Sequence, residues 1–324
     1  MVRARAGEIG RLVQAGVPVC VVSSGAIALG LPRLGLDERP RSLPKLQAAS
    51  ALGQARLQQV WDDALRREGL QAAQVLLTAP DVADRAAYLN ARNTLTALFG
   101  LGAVPIVNEN DVTATDEITF GDNDALAAQV AILVRARLLV LLTEVAGVYT
   151  RAPGEPGAEL LELGTVATAA EVGGGSPLGK GGMGSKILAA EMAASAGIPT
   201  VIAGGAESAD VIGSIVAGER RGTRFDAGAQ APSAFKLWLR HGKAAAGRVH
   251  VDAGARRALT RDGASLLAVG VTRVEGRFEA GDALELIGPD GAVFAKGIAA
   301  ASSADLAARQ RGVEAVHRDR LVLY

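Results

Sequence analysis

Between residues 108 and 126 the chain reads NENDVTATDEITFGDNDAL, a stretch with six carboxylates, three asparagines and no lysine or arginine. Oxygen donors packed this densely suit a cation, either an ammonium group or a magnesium ion. A second stretch, Ser23-Ser24-Gly25, offers a hydroxyl and backbone amides at a turn into a helix, where a carboxylate could sit. Serine and glycine also populate such turns for geometric reasons. An amino acid carries both an ammonium group and a carboxylate.

Residues 173–192, GGGSPLGKGGMGSKILAAEM, admit several chemistries. Positions 174–181 approach the P-loop pattern, but Gly181 stands where Ser or Thr would meet magnesium, and no strand precedes it. Positions 179–184 satisfy G-x-G-x-x-G, again without a strand before them. A third reading is a glycine-rich loop whose amides approach phosphate, followed by a helix start and Lys186. An ordinary flexible loop with solvated lysines accounts for the same residues equally well.

The three histidines, His241, His250 and His317, all lie in the last third of the chain. The preceding residues therefore hold no imidazole for a Ser/His/Asp or Cys/His system, or for a histidine zinc site. Carboxylates, amides, hydroxyls and lysines remain, an inventory that suits phosphoryl transfer, where positioning and charge stabilisation dominate.

The elements that must position these groups are legible as an alternation. Residues 1–16 read as a helix with Ile9, Leu12 and Val13 on one face and Gly16 as its stop. VPVCVVSS then reads as a parallel strand covered on both faces. QAAQVLLT, AVPIVNEND, ARLLVLLTE and IPTVIAGG repeat the strand pattern, separated by helical segments such as AAYLNARNTLTALFG and GSKILAAEMAASAG. Such alternation predicts an α/β domain, and the polar strand ends are predicted to face one site. At residues 218–234 the alternation gives way to linker composition, and short strand-like runs follow it. The predicted division is 1–225, a linker at 226–240, and a small β-rich domain at 241–324.

The 34 basic and 34 acidic side chains balance, so no global charge favours nucleic acid or an anionic membrane. The single cysteine, Cys20, sits in an apolar run, reads as a buried small hydrophobe and fits a reducing cytosol. The most apolar window, ALAAQVAILVRARLLVLL, is interrupted by Arg135 and Arg137, and the first residues lack a signal-peptide core. A cytoplasmic protein without a membrane span is expected.

In their order along the chain, VVSSGAIALG, LNARNTL, PIVNENDVTATDEITFGDNDALAA, LLVLLTEVAGVYT and GKGGMGSKILAAEMAASAG resemble the glutamate 5-kinases of the amino acid kinase superfamily. The resemblance runs to about residue 225, and NEND with GDND is its most specific part. GRVHVDAGARRAL, SLLAVGVTRVEG, GDALELIGPDG and VHRD resemble a PUA domain. The resemblance implies a three-layer αβα sandwich with a mainly parallel sheet, followed by the PUA-like domain. It implies ATP-dependent phosphorylation of the L-glutamate γ-carboxylate, with Mg2+, as the first step of proline synthesis. By motif, Ser24, Asp111 and Asn123 match glutamate-binding positions. Asp124 matches the acidic residue that organises the catalytic lysine and metal environment. Thr143, Glu144, Lys180, Gly181, Gly182, Met183, Gly184, Ser185 and Lys186 match the nucleotide site, with Lys186 also catalytic.

Glu144 stands where the family has Asp, and GKGGMGSK replaces GTGGMxTK. The family opens with a strand bearing a Lys-Leu-Gly-Ser/Thr motif that this sequence does not show. The expectation is that the first strand is missing and that the chain as it stands is weakly active. A homo-oligomer and feedback inhibition by proline are further implications. The competing expectations are a superfamily member acting on another carboxylate or on carbamate, and an RNA-binding regulator on the same scaffold. RNA binding is the weaker of these, because 14 Lys/Arg against 10 Asp/Glu after Gln230 make that region only mildly basic.

Overall fold

The computed structural model describes residues 2–36, 38–113, 122–164, 182–205, 210–228, 236, 239, 245–308 and 312–324. Lys180, Gly181, Asp116, Glu117 and His241 lie outside the described residues, as does most of the predicted linker. The chain divides into two compact units, Met1–Asp81 with Arg85–Ala231, and Val82–Asp84 with Pro232–Tyr324.

In the first unit, α1 (Val2–Gln14) leads to β1 (Val21–Val22) and the short α2 (Ala26–Gly30). Then come α3 (Leu43–Arg66), β2 (Ala72–Leu77), α4 (Ala79–Ala83), α5 (Arg85–Gly100) and β3 (Val104–Glu109). The second half holds α6 (Asp122–Val134), β4 (Leu139–Thr143), α7 (Met183–Ser195), β5 (Thr200–Gly204), α8 (Val211–Val216) and β6 (Thr223–Phe225).

The described strands of this unit form two three-stranded sheets. One, in the order β1-β3-β2, is wholly parallel; in the other, β4-β5-β6, β4 and β5 are parallel and β6 is antiparallel. Helix α6 packs against β1 and β3 of one sheet and β4 of the other. The central strands β3 and β5 are almost entirely buried, as continuous apolar runs in parallel sheets should be.

The first strand departs from expectation. Only Val21 and Val22 pair, with Ile106 and Val107, and β1 is half-buried rather than covered on both faces. Among the described strands it lies at the sheet edge with one neighbour, and Pro18 has no N–H to extend the ladder. Cys20 keeps partial exposure, yet burial pushes its thiol up to about 12. It is therefore protonated at neutral pH and a poor nucleophile.

Helix α3 carries an inward stripe of Leu46, Ala49, Ser50, Gly53, Leu57, Trp61, Ala64 and Leu65 at helical spacing. Leu57, Trp61, Ala64 and Leu65 of this stripe join Ala6, Ile9, Ala26, Val104 and Ile106 in one core. Gly53 approaches α2 so closely that a Cβ there would stand 1.8 Å from the Ala26 carbonyl oxygen. Helix α1 is tied to the other end of the unit through Glu8. Its carboxylate pairs with Arg5 at 2.8 Å and accepts from the backbone N–H groups of Val211 and Ile212 at the start of α8.

The second unit holds β7 (Ala245–Val251), α9 (Ala253–Arg261), β8 (Leu266–Leu267), β9 (Val271–Gly276), β10 (Ala283–Ile287), β11 (Val293–Ala299), α10 (Ser303–Ala307) and β12 (Glu314–Leu323). Its six described strands form one sheet, ordered β8-β12-β11-β10-β7-β9, over a core that includes Val249, Leu284, Leu286, Phe294 and Val316. Among the described residues no helix is long and apolar enough to cross a membrane.

Candidate active site

The polar site lies past the carboxyl end of β3, between α3 and the first turns of α6 and α7. Strand β3 runs out of its buried apolar stretch into Asn108 and Glu109, and Asp111 follows two residues on. Asn108 and Asp111 are both buried and so need partners. Asp111 Oδ2 accepts from Ser50 Oγ of α3 at 2.5 Å. Asn108 Nδ2 donates to Gln54 Oε1, one turn further along α3, at 2.7 Å, and Asn108 Oδ1 accepts from Asn123 Nδ2 at 3.0 Å.

Asp124, next to Asn123, links α6 to α7. Lys186 Nζ donates to both of its oxygens, at 2.9 and 3.1 Å, and the two side chains are only 19% and 15% exposed. A cation and a carboxylate at this depth attract each other more strongly than a surface pair does. Ser185 Oγ lies 2.7 Å from Asp124 Oδ2 and 2.8 Å from the Gly182 carbonyl oxygen. Its one proton serves one acceptor at a time, and the ionised carboxylate is the stronger. Gly182, Met183 and Gly184 open α7, and space is free within 4 Å of where a Cβ on Gly184 would lie. The first turn of α7 thus presents N–H groups and the positive end of a 13-residue helix. Such a helix start suits phosphate.

Of the residues singled out in the sequence, the structure joins Asp124, Ser185, Lys186 and Gly182 in one group. Asn123 is adjacent, and Asp111 is held from α3. Ser24 is exposed just past β1; its neighbour Ser23 accepts a hydrogen bond from Trp61 Nε1 at 2.9 Å. Gly25 has φ +113°, a left-handed conformation that favours glycine and turns the chain into α2. Thr143 ends β4, where its carbonyl accepts from Gly205 N–H at 2.7 Å, and Glu144 is exposed just beyond. Among the described residues no side-chain hydrogen bond joins Ser24, Thr143 or Glu144 to the Asp124 group.

Ser50 and Gln54 were missed in the sequence. The available signal was a hydroxyl on the apolar stripe of α3 with an amide four residues on, but their partners lie 61 and 54 positions away.

The profile of the Amino acid kinase family matches residues 2–204, and that of the PUA domain residues 247–319. A carbamate kinase from Giardia lamblia bound to AMP-PNP superposes with a TM-score of 0.51 at 19% identity, over 70% of this chain and 89% of that one, a likeness of fold alone. The class is thus that of the amino acid kinases. Glutamate 5-kinases of Cupriavidus metallidurans and Burkholderia multivorans are 46% and 44% identical over 337 residues, covering 98% of this chain and 90% of theirs. The chain belongs to the glutamate 5-kinase family.

Proposed function

We propose that this chain transfers the γ-phosphoryl group of ATP to the γ-carboxylate of L-glutamate, giving γ-glutamyl phosphate and ADP, the first step of proline biosynthesis. The observation that carries the reading is Lys186, held by Asp124 at the open start of α7 beside the amide-lined end of β3.

A carboxylate oxygen of glutamate forms the new bond to the γ-phosphorus as the bond to the β,γ-bridging oxygen breaks. A γ-carboxylate with a reference pKa of about 4.3 is ionised at neutral pH, so no general base is needed. The chain's task is to place the two anions together and stabilise the charge that develops. Lys186 and the N–H groups opening α7 supply positive charge, and Asp124 fixes the lysine's direction. Asp111, Asn123 and Ser24 are proposed to hold glutamate, with Asp111 oriented by Ser50. Thr143, Glu144 and residues 180–186 are proposed to hold the nucleotide.

Among the described residues no three His, Cys, Asp or Glu side chains gather into a metal cage. Mg2+ is proposed to arrive on the nucleotide, because the ion usually binds through phosphates, water and one or two carboxylates. Asp124 is the carboxylate that would hold it, and when bound it would neutralise charge on the phosphate oxygens.

The reading also includes a cytoplasmic homo-oligomer, proline as a feedback inhibitor, and a division into residues 1–225, a linker at 226–240 and a PUA-like domain at 241–324. The test is ADP release with glutamate, aspartate, N-acetylglutamate and carbamate offered in turn. Release that depends on glutamate alone is expected; faster release with another acceptor would overturn the substrate.

A further inference from the structure

Three side-chain amides form a chain with a direction. Asn123 donates to Asn108, and Asn108 donates to Gln54. Because Asn108 spends its oxygen on one neighbour and its nitrogen on the other, the ends of the chain differ. Gln54 Nε2 is left as a donor and Asn123 Oδ1 as an acceptor, and both atoms are buried without a partner among the described residues. Buried polar atoms are rarely left so, and two at the ends of one chain point to a ligand that supplies both complements.

We propose that Gln54 is a specificity residue whose Nε2 donates to the α-carboxylate of bound glutamate, the carboxylate that is not phosphorylated. This rests on the glutamate reading given above. An amino acid offers an acceptor, its carboxylate, to the donor end and a donor, its ammonium group, to the acceptor end. The order of the side chains sets the orientation. Asn123 adjoins Asp124, which grips Lys186, so the acceptor end lies beside the phosphoryl-transfer groups and Gln54 lies at the far end. The γ-carboxylate belongs at Lys186, which leaves the α-carboxylate for Gln54, with Ser24 as a further donor to it. The donor is also rigidly mounted. It follows Gly53, which is pressed against the Ala26 carbonyl, and Ser50, one turn earlier on α3, holds Asp111.

The test is calorimetric binding of L-glutamate and of L-glutamate α-amide to the full chain, with the affinity for a non-hydrolysable ATP analogue as a check on the fold. Gln54→Met keeps the side-chain length and removes the donor. It should weaken glutamate at least about tenfold, as losing one charge-assisted hydrogen bond does, and bring the glutamate-to-amide affinity ratio toward one. Gln54→Glu replaces the donor with an anionic acceptor and should invert the ratio in favour of the α-amide, whose NH2 group can donate. Nucleotide affinity should stay unchanged in both variants. A ratio unchanged in both, or Gln54→Glu without detectable α-amide binding, would overturn the assignment. An unsubstituted protein that binds nucleotide but no glutamate would remove the substrate reading and this proposal with it, a result distinct from an insensitive ratio.

Discussion

Asp111 and Lys186 are both charged, partly or fully buried and bonded to a hydroxyl or carboxylate, yet they should respond differently to substitution. Asp111 stands in the amide-lined end of the site, fixed by Ser50. If it holds the ammonium group of glutamate, Asp111→Ala removes a charge-assisted hydrogen bond of about 1.5–3 kcal/mol and raises the glutamate KM about 10- to 150-fold, with little change in the ATP KM. Ser50→Ala should act in the same direction and more weakly, because it removes one hydrogen bond to the carboxylate and leaves the carboxylate in place. Lys186 faces the group whose charge changes during the reaction, so Lys186→Ala should lower kcat by about 10²–10³ and change glutamate binding much less. Steady-state kinetics with each substrate varied in turn separates the two outcomes. Equal shifts in both KM values for Asp111→Ala, or an unchanged kcat for Lys186→Ala, would remove that residue from its role.

At the scale of elements, the alternation of strands and helices was readable because parallel strands covered by helices are continuous apolar runs. VPIV of β3 and TVIA of β5 show that pattern and are buried throughout. The edge position of β1 was not readable. VPVCVV has the same composition as a central strand, and which neighbours a strand acquires is decided by segments far away in the chain. The acidic ends of β3 and α6 stood out as a local excess of charge, whereas Ser50 on the apolar stripe of α3, and Gln54 one turn on, gave no sign of partners 61 and 54 positions away. The closeness of α3 to α2 gives a prediction. A Cβ on Gly53 would fall 1.8 Å from the Ala26 oxygen and 2.7 Å from the Gly30 nitrogen, both backbone atoms that no rotamer change can move aside. Gly53→Ala should therefore force α2 and α3 apart at a cost of about 3 kcal/mol, toward the upper end of overpacking penalties. Chemical denaturation should show a midpoint lowered accordingly, with glutamate affinity falling as Ser50 and Gln54 shift. A variant as stable as the parent would mean that the two helices are free to separate.

For the whole molecule, the balanced charge and the division into two units bear on what each part does. Every residue proposed for the site lies before the second unit's Pro232, and the second unit has a core of its own. Within it Arg248 pairs with Glu285, Arg256 with Asp290 and Arg273 with Glu275. His250 lies 3.0 Å from the same Glu275, whose carboxyl is held below its ordinary range chiefly by that hydrogen bond. A chain ending at Ala231 should therefore fold and keep its affinities for glutamate and for an ATP analogue within about threefold of the full chain, a difference of less than 1 kcal/mol. Both are measurable by calorimetry on the truncated and full-length proteins, with circular dichroism to establish that the shorter chain is folded. Because the comparison is a ratio of affinities, it does not depend on how fast either protein turns over. A folded truncation that binds neither ligand would place part of the site's support in residues 232–324 and would refute the division of labour argued from the two cores.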